Sequence, residues 1–282
     1  MNIQWFPGHM KKTERQIEQD INLVDVVYEL LDARIPLSSK NPDIDILSKN
    51  KPKILLLNKS DLADEGKTKE WLKYYKNQNI NAITICTQTG EGLKQLNALT
   101  QSMLKEKLER QKEKGIVGKG VKALVVGVPN VGKSSFINKI SGKSSTKTGD
   151  RPGVTKGKQW ITVNNSLQLL DTPGILWPKF DDENTAFNLA FTGAIKDEII
   201  DIEGLGVRLC LFLQQNYPCA LSDRYKLTET SDDGYELLQL IGKKRGCVIS
   251  GGEIDTRKAS ILLLDEFRGG KLGKITLETP CF

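Results

Sequence analysis

The sequence predicts a doubly wound α/β sheet followed by a smaller all-helical region. Three observations carry this expectation. Leu124–Ile140 (LVVGVPNVGKSSFINKI) passes from a β-branched apolar run through a glycine-bearing loop into an amphipathic helix. Short apolar runs at Val24–Leu31, Ile54–Leu57 and Ala82–Ile85 alternate with helix-period segments, as buried parallel strands and their crossover helices do. From Thr185 onward that alternation gives way to amphipathic helices joined by short turns. The expected division is residues 1–180 for the sheet and 181–282 for the helices.

In chain order, Trp5-Phe6-Pro7-Gly8-His9-Met10 comes first. Two adjacent aromatics before a Pro-Gly turn are unusual in a terminal segment. A helix over Lys11–Asn22 follows, with Ile17 and Ile21 on one face. Val24–Leu31 (VDVVYELL) predicts a buried strand, Asp32–Pro36 and Ser38–Pro42 a polar loop, and Asp43–Leu47 a short helix. Ile54–Leu57 is a second buried strand and runs into Asn58-Lys59-Ser60-Asp61. At a strand end these residue types suit guanine. A carboxylate such as Asp61 accepts from the ring N–H and the exocyclic amine together, which adenine does not offer in that arrangement. The asparagine bonds the other base edge, and the lysine stem covers the ring. Alone, the tetrad is equally a capping turn; with a phosphate loop in the same chain it indicates base recognition. Lys67–Gln78 predicts a helix. Ala82–Ile85 predicts a strand ending at Cys86-Thr87, where a backbone N–H can meet the base oxygen. Leu93–Leu108 predicts one helix, and Arg110–Gly120 (RQKEKGIVGKG) a linker.

Gly127–Ser134 then supplies the Gly-x-x-x-x-Gly-Lys-Ser spacing between strand and helix. Backbone N–H groups from Asn130, Val131, Gly132, Lys133, Ser134 and Ser135 can turn toward phosphate oxygens, and glycine keeps side chains out of the approach. The helix N-terminus adds partial positive charge. Lys133 can reach the outer phosphates, and the Ser134 hydroxyl can hold Mg²⁺. Ser144–Gln159 has the composition of a mobile loop and carries Thr155, a further Mg²⁺ ligand candidate. Trp160–Val163 and Leu167–Leu170 predict a hairpin across Asn164-Asn165. The hairpin delivers Asp171-Thr172-Pro173-Gly174: Asp171 can contact Mg²⁺ through water, and the Gly174 N–H can sense a γ-phosphate. Helices are expected over Thr185–Ala194, Glu203–Gln215, Gly234–Lys244 and Thr256–Phe267, with a short strand at Lys274–Leu277.

Composition bounds the function further. The 282 residues are 38% hydrophobic and 27% charged, ordinary globular proportions. No run has the length of a membrane span and Met1–Met10 lacks a secretory core, so a cytoplasmic protein is expected. Five widely spaced cysteines and a single histidine argue against a zinc cluster. The net charge of +6 is mild, but Lys105–Lys122 holds seven basic and three acidic residues and Lys143–Lys158 five and one. Basic patches of this kind suit a polyanion, although a solvated surface has the same composition.

The order of the parts is informative. In ordinary GTPases the phosphate loop comes first and Asn-Lys-x-Asp later. Here Asn58–Asp61 and Cys86-Thr87 precede Gly127–Ser134. The simplest account is a circularly permuted P-loop GTPase with one doubly wound sheet, whose old ends are joined near Arg110–Gly120. The segment after Gly174 then leads directly into the C-terminal helices, so movement of that loop on hydrolysis would pull on them.

With these residues in place the chain resembles the circularly permuted bacterial GTPases of ribosome assembly. The resemblance rests on Ile3–Met10 (IQWFPGHM), Val27–Pro36 (VYELLDARIP), Asn58–Asp61, Gly127–Ser134, Gly149–Thr155 (GDRPGVT), Gln159-Trp160, Leu169–Phe180 (LLDTPGILWPKF), Thr192–Asp197 (TGAIKD) and Gly242–Gly246 (GKKRG). It implies binding of GTP and GDP with Mg²⁺, low intrinsic hydrolysis stimulated by the ribosomal particle, and a role in late maturation of the large subunit. The implied partner is that subunit's precursor, with its rRNA and ribosomal proteins, and the protein is expected to be a monomer off the ribosome. Ile175 stands where many GTPases carry a water-orienting glutamine. The resemblance gives that task to His9, whose residues alone leave catalysis and an incidental surface histidine equally open. It also gives Asn130 a K⁺ ion beside the phosphates, with a turn-closing asparagine as the alternative. The competing functions are a P-loop kinase or ATPase, against which Asn58–Asp61 argues; a GTP-gated RNA-binding protein with negligible catalysis, which Ile175 keeps open; and a related permuted GTPase of the small subunit. Lys143–Lys158 and the C-terminal residues Lys243-Lys244-Arg245, Arg257-Lys258, Arg268, Lys271 and Lys274 are candidates for rRNA contact.

Overall fold

In the computed structural model, which describes residues 15–48, 50–115, 120–142, 159–164, 167–177, 180 and 182–281, the first apolar run forms strand β1 (Val26–Asp32). It is buried at every position because it has a neighbour on each side. β2 (Lys53–Asn58) pairs parallel with it on one side and β4 (Val121–Gly127) on the other. β3 (Asn81–Thr84) extends the sheet beyond β2, and β6 (Leu167–Asp171) extends it beyond β4. β5 (Gln159–Asn164) is antiparallel to β6, as the expected hairpin requires. The order is β3-β2-β1-β4-β6-β5. Residues from both halves of the chain therefore share one sheet, and the C-terminal ends of the five parallel strands lie along one edge.

Helix α1 (15–21 within the described chain) seats Ile17 and Ile21 against Val24, Val27, Ile44 of α2 (Pro42–Leu47), Leu124, Val126, Leu170 and Ile175. α3 (Glu65–Asn77) starts where Asp64 accepts a hydrogen bond from the Lys67 N–H. It buries Trp71 and Tyr75 against Leu31, Leu55 and Leu57.

Two expectations are corrected here. The single helix over Leu93–Leu108 divides at Leu104 (φ −102°, ψ 10°) into α4 (Leu93–Met103) and α5 (Lys105–Glu113). Leu104 is buried, as is Thr100, which hydrogen-bonds the Tyr28 hydroxyl at 2.8 Å. The expected linker Arg110–Gly120 is accordingly helical as far as Glu113. Its Lys, Glu, Arg and Gln residues are strong helix formers, and Glu106 pairs with Arg110 one turn away.

α6 (Lys133–Ser141) follows β4. The C-terminal part comprises α7 (Glu183–Phe191), α8 (Ile202–Asn216), α9 (Pro218–Tyr225), α10 (Gly234–Arg245) and α11 (Thr256–Arg268). Asp182, Asp201, Asp233 and Asp255 cap α7, α8, α10 and α11 through their side chains. α9 is absent from the sequence expectation: Pro218, which stops α8, also opens α9, since a first helical position does not use its N–H. One continuous apolar cluster extends from Val125, Val128 and Phe136 to Leu209, Leu238 and Phe267.

The expected strand at Lys274–Leu277 is not formed. The segment is a strap whose backbone bonds go to two different loops: Ile275 N–H to Leu62 O at 3.0 Å and Leu277 N–H to Arg34 O at 2.8 Å. Thr276 Oγ1 accepts from Asp64 N–H (3.0 Å), and Glu278 O accepts from the Trp71 indole (3.3 Å). The last part of the chain thus closes over the loops that follow β1 and β2. His9 and the Trp5–Met10 stretch, and the Lys143–Lys158 segment with Thr155, lie outside the described residues.

Candidate functional site

Parallel strands deliver their following loops to one sheet edge, which is where such folds bind ligands. β4 ends at Gly127 (φ 149°), and the chain turns through Asn130 (φ 56°) and Gly132 (φ 101°) into α6. A Cβ on Gly127 would stand 2.5 Å from Leu30 O, and one on Gly132 would strike the Asn58 amide. Glycine at both positions lets the loop close against β1 and β2. Val131 is buried and Ser135 lies exposed on the first turn of α6. Lys133 is buried, and its ammonium donates to Gly127 O and Val128 O at 2.9 Å each. Burial pushes it down to about 8, against the attraction of Asp171.

Asp171 ends β6 opposite Val125. Both its carboxylate oxygens are buried without a hydrogen-bond partner among the described residues. Burial pushes this carboxyl up to about 6, partly offset by Lys133. A buried, unpartnered carboxylate at the mouth of a loop that also carries the Ser134 hydroxyl is a donor set for a hard cation, and Mg²⁺ fits it. The next residues lie directly on the phosphate loop. Ile175 N–H donates to Gly127 O at 3.2 Å, and a Cβ on Gly174 would meet Pro129 Cα at 2.8 Å and Lys133 Nζ at 2.9 Å. The Ile175 side chain is buried in the α1 cluster. It offers no polar atom to water.

The residues expected to read a base surround the same loop. Asn58 is fully buried; its Nδ2 donates to Val131 O (2.8 Å), and its Oδ1 accepts from Thr87 N–H (3.2 Å). It therefore bolts the phosphate loop to the Cys86-Thr87 loop with one of its two N–H donors, a structural duty that the base-edge expectation did not include. Lys59 is left-handed (φ 60°); its ammonium donates to Asn130 O (2.7 Å) and pairs with Asp32 (3.1 Å). Cys86, also buried, donates its thiol to Asp61 Oδ1 at 3.3 Å. That bond fixes the carboxylate that would read guanine. Cys86→Ser, which keeps a donor, is expected to hold GDP affinity within about 3-fold, whereas Cys86→Ala is expected to weaken it roughly 5-fold. Fluorescence titration with a labelled guanine nucleotide checks this; equal affinities for the two variants would remove Cys86 from the orientation of Asp61.

The described residues singled out from sequence thus converge: Asn58, Lys59, Asp61, Cys86 and Thr87 on one side, Asn130–Ser135 in the middle, Asp171 and Gly174 on the other. Two polar residues around them had no signal in spacing. Asp32 and Arg34 form a buried pair behind Lys59. Burial opposes the Asp32 charge, but Arg34 and Lys59 together hold its carboxyl well below the usual range. Asn130 Nδ2 donates to Gly193 O at 2.6 Å, a contact to the turn after α7. Asp32 and Arg34 do fall in the quoted VYELLDARIP stretch, where a charged pair after a buried strand was the available clue.

A family model described as "50S ribosome-binding GTPase" matches residues 122–224. The chain is 51% identical over 280 residues to ribosome biogenesis GTPase A of Bacillus cereus, covering 99% of this chain and 95% of that protein. It is 34% identical to the Thermotoga maritima protein of the same name, with 99% and 95% covered. The crystal structure of GNP-bound YlqF from T. maritima superposes with a TM-score of 0.65 at 30% identity, covering 95% of this chain and 98% of that one. The similarity spans the sheet, the displaced order of its nucleotide loops and the C-terminal helices alike, so the chain belongs to the ribosome biogenesis GTPase A family, circularly permuted P-loop GTPases of ribosome assembly.

Proposed function

We propose that this protein is a cytoplasmic GTPase of late large-subunit assembly. It binds the precursor particle through rRNA and ribosomal proteins and hydrolyses GTP when the particle stimulates it. The observation that carries this reading is Ile175. Hydrolysis needs a group that orients water beside the γ-phosphate, and the residue after Gly174 is an aliphatic side chain buried among Ile17, Ile21 and Leu170. The missing polar group must come from elsewhere, which makes turnover conditional on an arrangement that the particle supplies. The matching family model, whose description names the 50S ribosome, supports the large subunit as the partner.

In this reading Asn58, Lys59, Asp61, Cys86 and Thr87 hold guanine, and Asn130–Ser135 hold the phosphates. Ser134, Asp171 and Thr155 hold Mg²⁺, and Gly174 senses the γ-phosphate. When bound, the cation neutralises phosphate charge. The protein's own part is to offer N–H groups and the Lys133 ammonium to the phosphate oxygens and the Asp171 carboxylate to the cation. Residues 1–180 form the GTPase unit and 181–282 the particle-binding unit, off the ribosome as a monomer. The Lys143–Lys158 segment and the basic C-terminal residues make the rRNA contacts.

His9 orients the water. Ile17 and Ile21 of α1 share a cluster with Ile175, so the chain enters the fold beside the Gly174 loop. His9→Ala is expected to bind GTP normally and to lose most of the particle-stimulated turnover; full stimulated turnover would remove the assignment. Asn130 holds K⁺ beside the phosphates, so turnover in potassium is expected to exceed that in sodium about 10-fold or more, with equal rates excluding the ion. Co-sedimentation with each ribosomal subunit, in GDP and in a non-hydrolysable GTP analogue, tests the function as a whole. Binding to the large subunit in the GTP form supports it; binding to the small subunit, or to neither, overturns it. Single-turnover hydrolysis on the particle separates this reading from GTP-gated RNA binding without catalysis, which Ile175 also favours.

A further inference from the structure

Arg34 is among the largest side chains buried completely in this protein, at 1% exposure. Its guanidinium forks onto Asp32, with Nε to Oδ1 at 2.9 Å and Nη2 to Oδ2 at 2.8 Å. The third nitrogen, Nη1, donates to Phe267 O and Arg268 O at the end of α11, at 3.4 Å each. The guanidinium also lies over the Phe267 ring, 5.2 Å from its centroid. Asp32 pairs with Lys59, and Lys59 donates to Asn130 O in the phosphate loop. Asn130 donates to Gly193 O just beyond α7. Arg268 completes the circuit: its Nε donates to Phe191 O at 3.1 Å and its Nη2 to Ala190 O at 2.9 Å, both at the end of α7. The polar contacts thus form a closed ring through the end of α11, Arg34, Asp32, Lys59, Asn130, Gly193 and the end of α7.

Every described link in this ring is buried or partly buried, so water does not readily replace a broken contact. Asp32 gives the Lys59 ammonium a charged anchor beside Asn130 O, and Arg34 fixes Asp32 in turn by bidentate pairing. The anchor of Arg34 is the end of α11, where helix carbonyls concentrate negative charge. The base-covering lysine and the C-terminal helices are therefore held by the same two side chains.

We propose that Asp32 and Arg34 are positioning residues of the guanine site, which set Lys59 over the base and thereby link nucleotide occupancy to the seating of the ends of α7 and α11. The proposal rests on the reading of Asn58–Asp61 as the guanine-binding tetrad. It adds that seating of these helix ends, by whatever partner, tightens guanine nucleotide by the factor that nucleotide tightens the seating, because the linkage is reciprocal.

Hydrogen exchange on the full-length protein, with and without saturating GDP, tests this. Arg34→Lys keeps a positive charge beside Asp32 but cannot fork between Asp32 and the α11 carbonyls. In the wild type, GDP is expected to slow exchange at 191–194 and 267–271 about 5-fold or more, as well as in the phosphate loop. In Arg34→Lys, GDP should bind roughly 10-fold more weakly. The slowing should persist in the phosphate loop and vanish at the two helix ends. A merely structural role would speed exchange there equally with and without GDP and leave the ratio unchanged; that result, or wild-type affinity in the variant, overturns the proposal. If Arg34→Lys does not fold, the wild-type comparison decides: absence of slowing at 191–194 and 267–271 under saturating GDP overturns it, and its presence supports it. A wild-type chain that binds no GDP fails the guanine reading itself, a result distinct from GDP binding without the linkage.

Discussion

Arg34→Leu is expected to cost about 3–5 kcal/mol of folding stability, because it leaves one partner of a buried ion pair behind. Asp32 is 2% exposed, and two of the three hydrogen bonds it accepts from Arg34 come from the guanidinium that leucine lacks. Lys59 remains at 3.1 Å, but as a single point charge already shared with Asn130 O. Against a total stability of about 5–15 kcal/mol the loss is large enough to leave the variant marginal at 37 °C. Urea denaturation should show a lower midpoint with little change in slope. The acid limb gives an independent signature. The folded-state pKa of Asp32 is depressed, so its contribution is present above the unfolded value of about 3.9 and lost as pH falls below it. Removing Arg34 weakens that acid dependence. A loss under about 1 kcal/mol would mean that Lys59 alone compensates the carboxylate.

Asp171→Asn should move stability and activity in opposite directions. The carboxylate is buried with no side-chain hydrogen-bond partner among the described residues, and burial lifts its pKa to about 6 against Lys133 and the Thr172 N–H. A carboxyl whose folded pKa is raised binds its proton more tightly when folded. Its charge therefore destabilises fully above about pH 6 and not at all below the unfolded value of about 3.9. The amide carries no charge to desolvate, although it is itself a buried polar group, and Lys133 loses a favourable neighbour. The expected net gain is about 1–2 kcal/mol at pH 7.5, vanishing toward pH 4. Hydrolysis with Mg²⁺ is expected to fall by about 100-fold or more, since the neutral amide holds more weakly the cation that neutralises phosphate charge. Thermal melts across pH 5–8 and turnover assays check the two halves separately. A destabilised variant at pH 7.5 would show that the attraction of Lys133 and the Thr172 N–H outweighs the cost of burying the charge.

What the sequence made legible follows a physical division. Parallel strands carry the message in their own residues, because burial on both faces leaves a continuous apolar run; β1, β2 and β4 fall where Val24–Leu31, Ile54–Leu57 and Leu124–Val126 placed them. The phosphate loop and the Asn58–Asp61 tetrad are equally local, since their chemistry is set by spacing within a few residues. The displaced order of those pieces was enough to give one permuted sheet. The break at Leu104 and the strap at 274–278 were not legible, because both depend on partners far away in the chain. Lys274–Leu277 has the alternation of a strand, yet its N–H groups find Leu62 O and Arg34 O instead of a ladder. Arg34 illustrates the same limit. A charged residue after a buried strand suggests solvent, and only the approach of α11 makes it an interior group.

The strap has a consequence for the birth of the protein. Asp64, just after the Asn58–Asp61 tetrad, is bonded to Thr276, 212 positions further along. At about 5–20 residues per second, roughly 10–40 s of translation separates the two. At first β1, β2 and α3 exist without β4, which begins at Val121, with the apolar edge of β1 open to unwanted pairing, and the strap is absent throughout the interval. The loops that follow β1 and β2 therefore reach their final contacts only when almost the whole polypeptide has been made.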